Sequence, residues 1–151
     1  MTIRILIQAG DFDAAAEVSA ITQARRDIGA IVTFTGLCRD EGGRLAALEL
    51  EHYPGMAEEE IARVAAEASA RWPLDAITVI HRFGKIAPGA QIVLVVTASS
   101  HRAAAFSGAE FLMDYLKTRA PFWKKEHPIE GAATDWVEAR DADDSAMERW
   151  K

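Results

Sequence analysis

The sequence predicts an α+β fold: a mostly antiparallel sheet with helices packed on one face, a two-layer sandwich built as one compact domain over residues 1–151. Three observations carry this expectation. Strand-like and helix-like segments alternate in the order β-α-β-β-α-β-β-α. Two of the helical segments carry a single apolar stripe. Neighbouring strand segments are separated by short Gly- and Pro-containing turns, Glu41-Gly42-Gly43 and Pro88-Gly89.

Each element has a local reason. Residues 2–8 alternate and read as a short strand. Asp11 or Asp13 is placed to cap a helix that runs to about Gln23, because a carboxylate accepts from the free N–H groups of a first turn. Residues 29–38 are β-branched and apolar, which marks a largely buried strand. Residues 44–53 alternate Leu45, Ala47, Leu48 and Leu50 with polar neighbours and read as its partner. Pro54-Gly55 opens a helix to about Trp72, with Ile61, Val64, Ala65, Ala68 and Trp72 on one stripe, and Pro73 stops it. Residues 76–82 and 90–98 are two further strands. Residues 102–118 form a second strong helix, with Ala105, Ala109, Leu112 and Leu116 on one face, and Pro121 ends it. Residues 122–126 and 133–138 read as short strands, and Asp141, Asp143 and Asp144 as the cap of a last helix.

Composition narrows the function. A net charge of -6 and a pI near 5.2 argue against nonspecific nucleic-acid binding, which needs a broad basic surface. No apolar run is long enough to span a membrane, and the N-terminal residues lack the pattern of a signal peptide. A single cysteine, Cys38, excludes an internal disulfide and fits a cytoplasmic protein. The histidines lack metal-ligand spacing, so neither a metal nor a cofactor is expected.

Within this acidic chain, residues 113–126 hold four cations and three aromatics around Pro121. Such a concentration suits an anionic ligand. Lys117 lies near the end of its helix, where the dipole alone favours a cation. Lys124 changes its meaning: Pro121 turns the chain so that Lys124 runs back beside Lys117. Two close, partly buried amines depress each other's pKa, which suits acid/base or nucleophilic work. Phe122 and Trp123 are placed to keep such a pair dry. His101-Arg102 opens the second long helix, where free N–H groups favour anions. Arg39 ends a buried strand beside Cys38, which reads as a small buried hydrophobe rather than a nucleophile.

These segments together resemble the large, catalytic subunit of molybdopterin synthase. The matching stretches are Gly29-Ala30-Ile31-Val32-Thr33-Phe34-Thr35-Gly36 with Arg39, Leu50-Glu51-His52-Tyr53-Pro54-Gly55-Met56, Arg71-Trp72-Pro73-Leu74, Val79-Ile80-His81-Arg82, Ser100-His101-Arg102, residues 113–126, and Trp136-Val137-Glu138-Ala139-Arg140. The resemblance implies a sulfurtransferase. Sulfur would pass from the C-terminal Gly-Gly thiocarboxylate of a small ubiquitin-like carrier subunit to cyclic pyranopterin monophosphate, forming the dithiolene of molybdopterin. It also implies a homodimer within a heterotetramer. By resemblance Lys117 and Lys124 are catalytic. Arg39, His101, Arg102, Lys125 and Glu126 line the pterin and phosphate pocket, together with Leu37 and Cys38. Phe34 and Met113 line the channel for the carrier's tail, and Arg140 reaches the neighbouring subunit's site. Leu37 stands where some relatives carry a lysine, so it offers only backbone groups. The chain ends Arg149-Trp150-Lys151 without Gly-Gly, as the acceptor subunit would and the carrier would not. The alternative is a non-enzymatic module that merely docks a partner's anionic tail.

Overall fold

The computed structural model describes residues 1–119, 121–136 and 146–151. The elements are β1 (Thr2–Gln8), α1 (Ala14–Thr22), β2 (Ala30–Leu37), β3 (Leu45–His52), α2 (Met56–Arg71), β4 (Leu74–Arg82), β5 (Gly84–Ile86), β6 (Gln91–Ser99), α3 (Arg102–Thr118) and β7 (Phe122–Pro128). The fold is α+β, as the sequence predicts. The strands divide between two sheets, a four-stranded one in the order β1-β4-β6-β2 and a three-stranded one in the order β5-β3-β7. Only β1 on β4 is parallel; the other pairings are antiparallel.

The larger sheet owes its two faces to residue alternation. Ile77 and Val79 of β4, with Val93 and Val95 of β6, point to the side that α2 and α3 cover. Ile61, Val64, Ala65 and Ala68 of α2 meet Ala109, Phe111 and Leu112 of α3 in that core. Ile80, Leu94 and Val96 point the other way, where Phe12, Ala14, Val18 and Ile21 cover them. The two long helices therefore share one face, and α1 takes the other. A sheet buried on both sides needs cover on both. Its near-continuous apolar strands, Leu74–Arg82 and Gln91–Ser99, are the sequence mark of that burial.

The caps agree with local chemistry. Asp13 is the residue that caps α1, its carboxylate accepting from the Ala16 N–H at 3.1 Å. Gly55 adopts φ +84 before α2, and the Glu58 carboxylate accepts from its N–H at 2.7 Å. Trp72 leaves the helical stripe for an extended conformation and packs edge-on against Phe111 and Trp150.

Local expectations change at several points. The strand read as largely buried, β2, lies at the edge of the larger sheet, half-buried with Thr33, Phe34 and Leu37 exposed. Strand β5 lies within the segment read as a connection; three residues give too short a pattern to recognise. Residues 133–136 are irregular rather than a strand, although the Thr134 N–H donates to the Glu126 carbonyl at 3.0 Å. Residues 137–138, and the acidic cap at Asp141, Asp143 and Asp144, lie outside the described residues.

The join between β2 and β6 is tight at Gly29, whose N–H donates to the Ser99 carbonyl at 3.0 Å. A Cβ there would stand 2.1 Å from the Ser100 carbonyl oxygen, a backbone atom with no rotamer to yield. Gly29→Ala is expected to destabilise the chain by about 2 kcal/mol or more, measured by urea unfolding. A midpoint equal to that of the parent chain would show that the backbone yields freely at this join.

Candidate active site

The antiparallel pairing of β2 and β6 decides which predicted residues meet. Ala30 pairs with Ser99, and Leu37 pairs with Gln91. Arg39 follows β2 and so lies at the Gln91 end. His101 and Arg102 follow β6 and lie at the Ser99 end. Eight strand steps separate the two ends, about 25 Å at the usual rise. In one chain, therefore, Arg39 does not share a pocket with His101 and Arg102, the arrangement expected from the sequence.

Helix α3 returns antiparallel to β6 and brings Lys117 back to the Arg39 end. From Pro121 the chain enters β7. On β7, Phe122, Lys124 and Glu126 share one face, since they pair with His52, Leu50 and Leu48. Leu50 packs with Cys38 and Ile86, which places the Lys124 strand next to the end of β2 and Arg39. Arg39, Lys117 and Lys124 thus gather at one end of the molecule. Lys117 and Arg39 are exposed and Lys124 is half-buried.

Trp123 and Lys125 face away from Lys124. The Trp123 ring meets Tyr53 edge-on at 4.9 Å, and the Lys125 ammonium sits 4.5 Å from the centre of the Trp136 ring. Of the two aromatics expected to keep the lysines dry, Phe122 alone is on their side. The strand alternation that brings Lys124 inward necessarily turns Trp123 and Lys125 outward.

Beneath Lys117 lies a floor that the sequence did not disclose. The His81 ring stacks on Phe122 at 3.9 Å and 16°. The His52 ring lies 4.7 Å from Phe83 and 6.1 Å from Phe122. His81 Nδ1 stands 2.8 Å from the Arg82 carbonyl oxygen, which can only accept, so Nδ1 carries the hydrogen. Among the described residues the buried His52 Nδ1 has no hydrogen-bond partner, and the Glu51 carboxylate stands 3.7 Å from it. The two histidines are 29 residues apart on different strands, and only sheet pairing brings them together. The sole sequence trace of them is their place in the stretches that carry the resemblance.

Burial holds the His81 imidazole low, at about 4, an effect that the Arg82 carbonyl opposes and the nearby charges of Lys117 and His52 reinforce. His81 is therefore an uncharged ring at neutral pH. Burial likewise pushes the Cys38 thiol up, in keeping with the small buried hydrophobe expected from the sequence. Cys38 is buried, and its Sγ lies 3.8 Å from the Ile86 carbonyl oxygen, as suits a packing residue.

Phe34 pairs with Val95, so it leaves the sheet on the α3 side, where it stays 40% exposed. Met113 of α3 packs half-buried on the same side. Leu37 is 54% exposed at a bulge in β2. The Glu126 N–H donates to the Thr134 hydroxyl at 2.9 Å, which ties β7 to the following segment. Arg140 lies outside the described residues. Among the described residues no group of His, Cys, Asp and Glu stands close enough to hold a metal ion. No helix among them is long and apolar enough to cross a membrane.

Residues 7–119 match the family described as MoaE protein. The chain belongs to the MoaE family. It is 66% identical over 147 residues to a molybdopterin synthase catalytic subunit of Mesorhizobium japonicum, covering 97% of this chain and 92% of that one. It is also 66% identical to the catalytic subunit of Rhizobium meliloti, covering 98% and 96% of the two chains. Its fold superposes on a MoaE protein from Burkholderia ambifaria with a TM-score of 0.85 at 50% identity, covering 98% of this chain and 97% of that one. The MoaE family match includes Arg39, His81, His101 and Lys117, and stops before Lys124.

The buried His81 makes stability pH-dependent. Above its ordinary value of 6.5, neither the folded nor the unfolded chain holds the proton. As pH falls further, the unfolded chain takes it up first, so stability declines until the folded state also protonates near 4. Across that window the group accounts for roughly 3 kcal/mol. His81→Phe is expected to flatten the fall in urea-unfolding free energy between about pH 7 and about pH 4.5. An equally steep fall in the variant would assign the slope to other groups.

Proposed function

We propose that this chain is the catalytic, large subunit of a molybdopterin synthase. It transfers sulfur from the C-terminal thiocarboxylate of a small ubiquitin-like carrier subunit to cyclic pyranopterin monophosphate, forming the dithiolene of molybdopterin. The observation that carries this reading is the convergence of Arg39, Lys117 and Lys124 at one end of a fold whose relatives carry that name. The chemistry has two anions to hold, a carrier tail and a cyclic phosphate. Arginine suits the phosphate because its planar fork donates two parallel hydrogen bonds. Lys117 meets the entering tail, and Lys124 assists as an acid/base or electrostatic group on the inner side. Phe34 and Met113 line the tail's path.

The separation of His101 and Arg102 from Arg39 gives the dimer a function. A second copy, related by a two-fold axis, supplies the His101-Arg102 end that the first copy lacks at its own site. Arg140 is assigned the same cross-subunit role. The functional unit is then a homodimer with one carrier on each copy, a heterotetramer. Each chain acts as one domain over residues 1–151, in the cytoplasm. The lone cysteine suits that compartment, and a carrier-supplied sulfur leaves Cys38 free to serve as packing.

Lys117 is exposed, so its removal costs little stability. Lys117→Ala is expected to lower single-turnover sulfur transfer by about 100-fold or more, with carrier binding and the unfolding midpoint retained. Transfer at the parent rate would remove Lys117 from the reaction. A parent protein that binds carrier tightly yet releases no dithiolene product would support a docking module instead.

A further inference from the structure

Two histidines at the catalytic end have no part in this scheme. We propose that His81 is a positioning residue for Lys117: its Nε2 lone pair is the uncharged acceptor that holds the Lys117 ammonium once the carrier's tail has displaced water. The inference rests on the sulfur-transfer reading and adds to it the group that orients the reacting end's lysine.

The tautomer comes first. With the hydrogen on Nδ1 directed at the Arg82 carbonyl, Nε2 is left bare, the ring's one remaining acceptor. Its direction follows from the sheet. His81 pairs with Val93 and so projects toward the α3 side, and Nε2 is the ring nitrogen farther from the strand. Phe122, which stacks on this ring, comes four residues after α3 ends, so the last turn of α3 and Lys117 lie beside the ring, close enough for the lysine's charge to act on it. The orientation is then locked, because Phe122 stacks flat against one ring face. Phe122 follows Lys117 by five residues, so a single short turn ties the lysine's helix to the ring's lid.

The need for an acceptor follows from the lysine. Among the described residues the Lys117 side chain forms no hydrogen bond or ion pair. In the free protein its ammonium is held by water. When a tail enters, that water leaves, and an ammonium with three donors requires new partners. A carboxylate there would pair with the lysine and cancel the charge that attracts the tail. A neutral imidazole orients the lysine and leaves its charge intact.

The groups around His81 are consistent with a neutral ring. Lys117 faces it from α3 and His52 from β3, while β7 contributes the aromatic Phe122. The Arg82 guanidinium is turned to the Ala9 and Gln91 carbonyls, at 3.1 and 2.8 Å. A proton on His81 would set a second cation against Lys117, and burial opposes it.

The test is steady-state and single-turnover sulfur transfer by the intact homodimer, using thiocarboxylated carrier and the cyclic pterin. His81→Phe keeps an aromatic stack on Phe122 and removes the acceptor. His81→Gln restores an acceptor at about the reach of Nε2. His81→Phe is expected to lower kcat by about tenfold to 100-fold, with KM for the carrier unchanged, and His81→Gln to recover most of the loss. Thermal melts check folding; if His81→Phe does not fold, His81→Leu serves as the acceptor-free partner to His81→Gln. A kcat equal to the parent's in the acceptor-free variant overturns the proposal. So does a loss that Gln leaves unrepaired, which marks a purely structural role, or a loss confined to KM. If the parent protein itself transfers no sulfur, the broader reading fails instead, so the two failures are distinguishable.

Discussion

The pairing of β6 between β4 and β2 is the constraint on which the rest of this structure depends. From Val93 to Ser99 the strand is buried, sandwiched between the α2/α3 layer and the α1 layer. A one-residue slip would turn Val93 and Val95 into the α1 layer and Leu94 and Val96 toward α3, so the register is fixed on both sides. That register sends Arg39 and His101 to opposite ends. The same strand also guides α3, whose return places Lys117 at the Arg39 end. The spacing of the charges is therefore a consequence of apolar packing, set far from any ligand.

The end that holds Lys117 works against the chain's overall charge. In a protein of net charge -6, Arg39, Lys117 and Lys124 gather at the end where the His81, His52 and Phe122 rings pack together. Carboxylates border this end rather than pair with its lysine: Glu51 stands 3.7 Å from His52, and Glu126 follows Lys124 on the same face of β7. Other carboxylates pair elsewhere: Glu49 with His127 on the outer face of β7, and Asp114 with Arg149. Burial keeps His81 uncharged, so that ring's neutrality follows from packing.

Much of this was legible in the sequence, for identifiable reasons. The stripes of α2 and α3 and the strands of the larger sheet rest on local periodicity, which the chain displays openly. Pro121 marked the turn that carries Lys124 back toward the end of α3. What stayed hidden depends on pairing between distant segments. The outward turn of Trp123 and Lys125 follows from the register of β7 on β3, and the meeting of His52, His81 and Phe122 needs both sheets. The separation of Arg39 from His101 was likewise invisible, because nothing local states that β2 and β6 run in opposite directions.

The central claim is that one working site is assembled from two copies, with Lys117 from one and His101-Arg102 from the other. Subunit complementation tests it directly. A Lys117→Ala chain and a His101→Ala/Arg102→Ala chain, each inactive alone, are mixed in equal amounts, unfolded together and refolded. Random pairing makes half of the dimers mixed, each with one intact site, so the account predicts about a quarter of the parent sulfur-transfer activity. No activity above that of the separate variants would mean that each site draws all three residues from a single chain, contrary to the account.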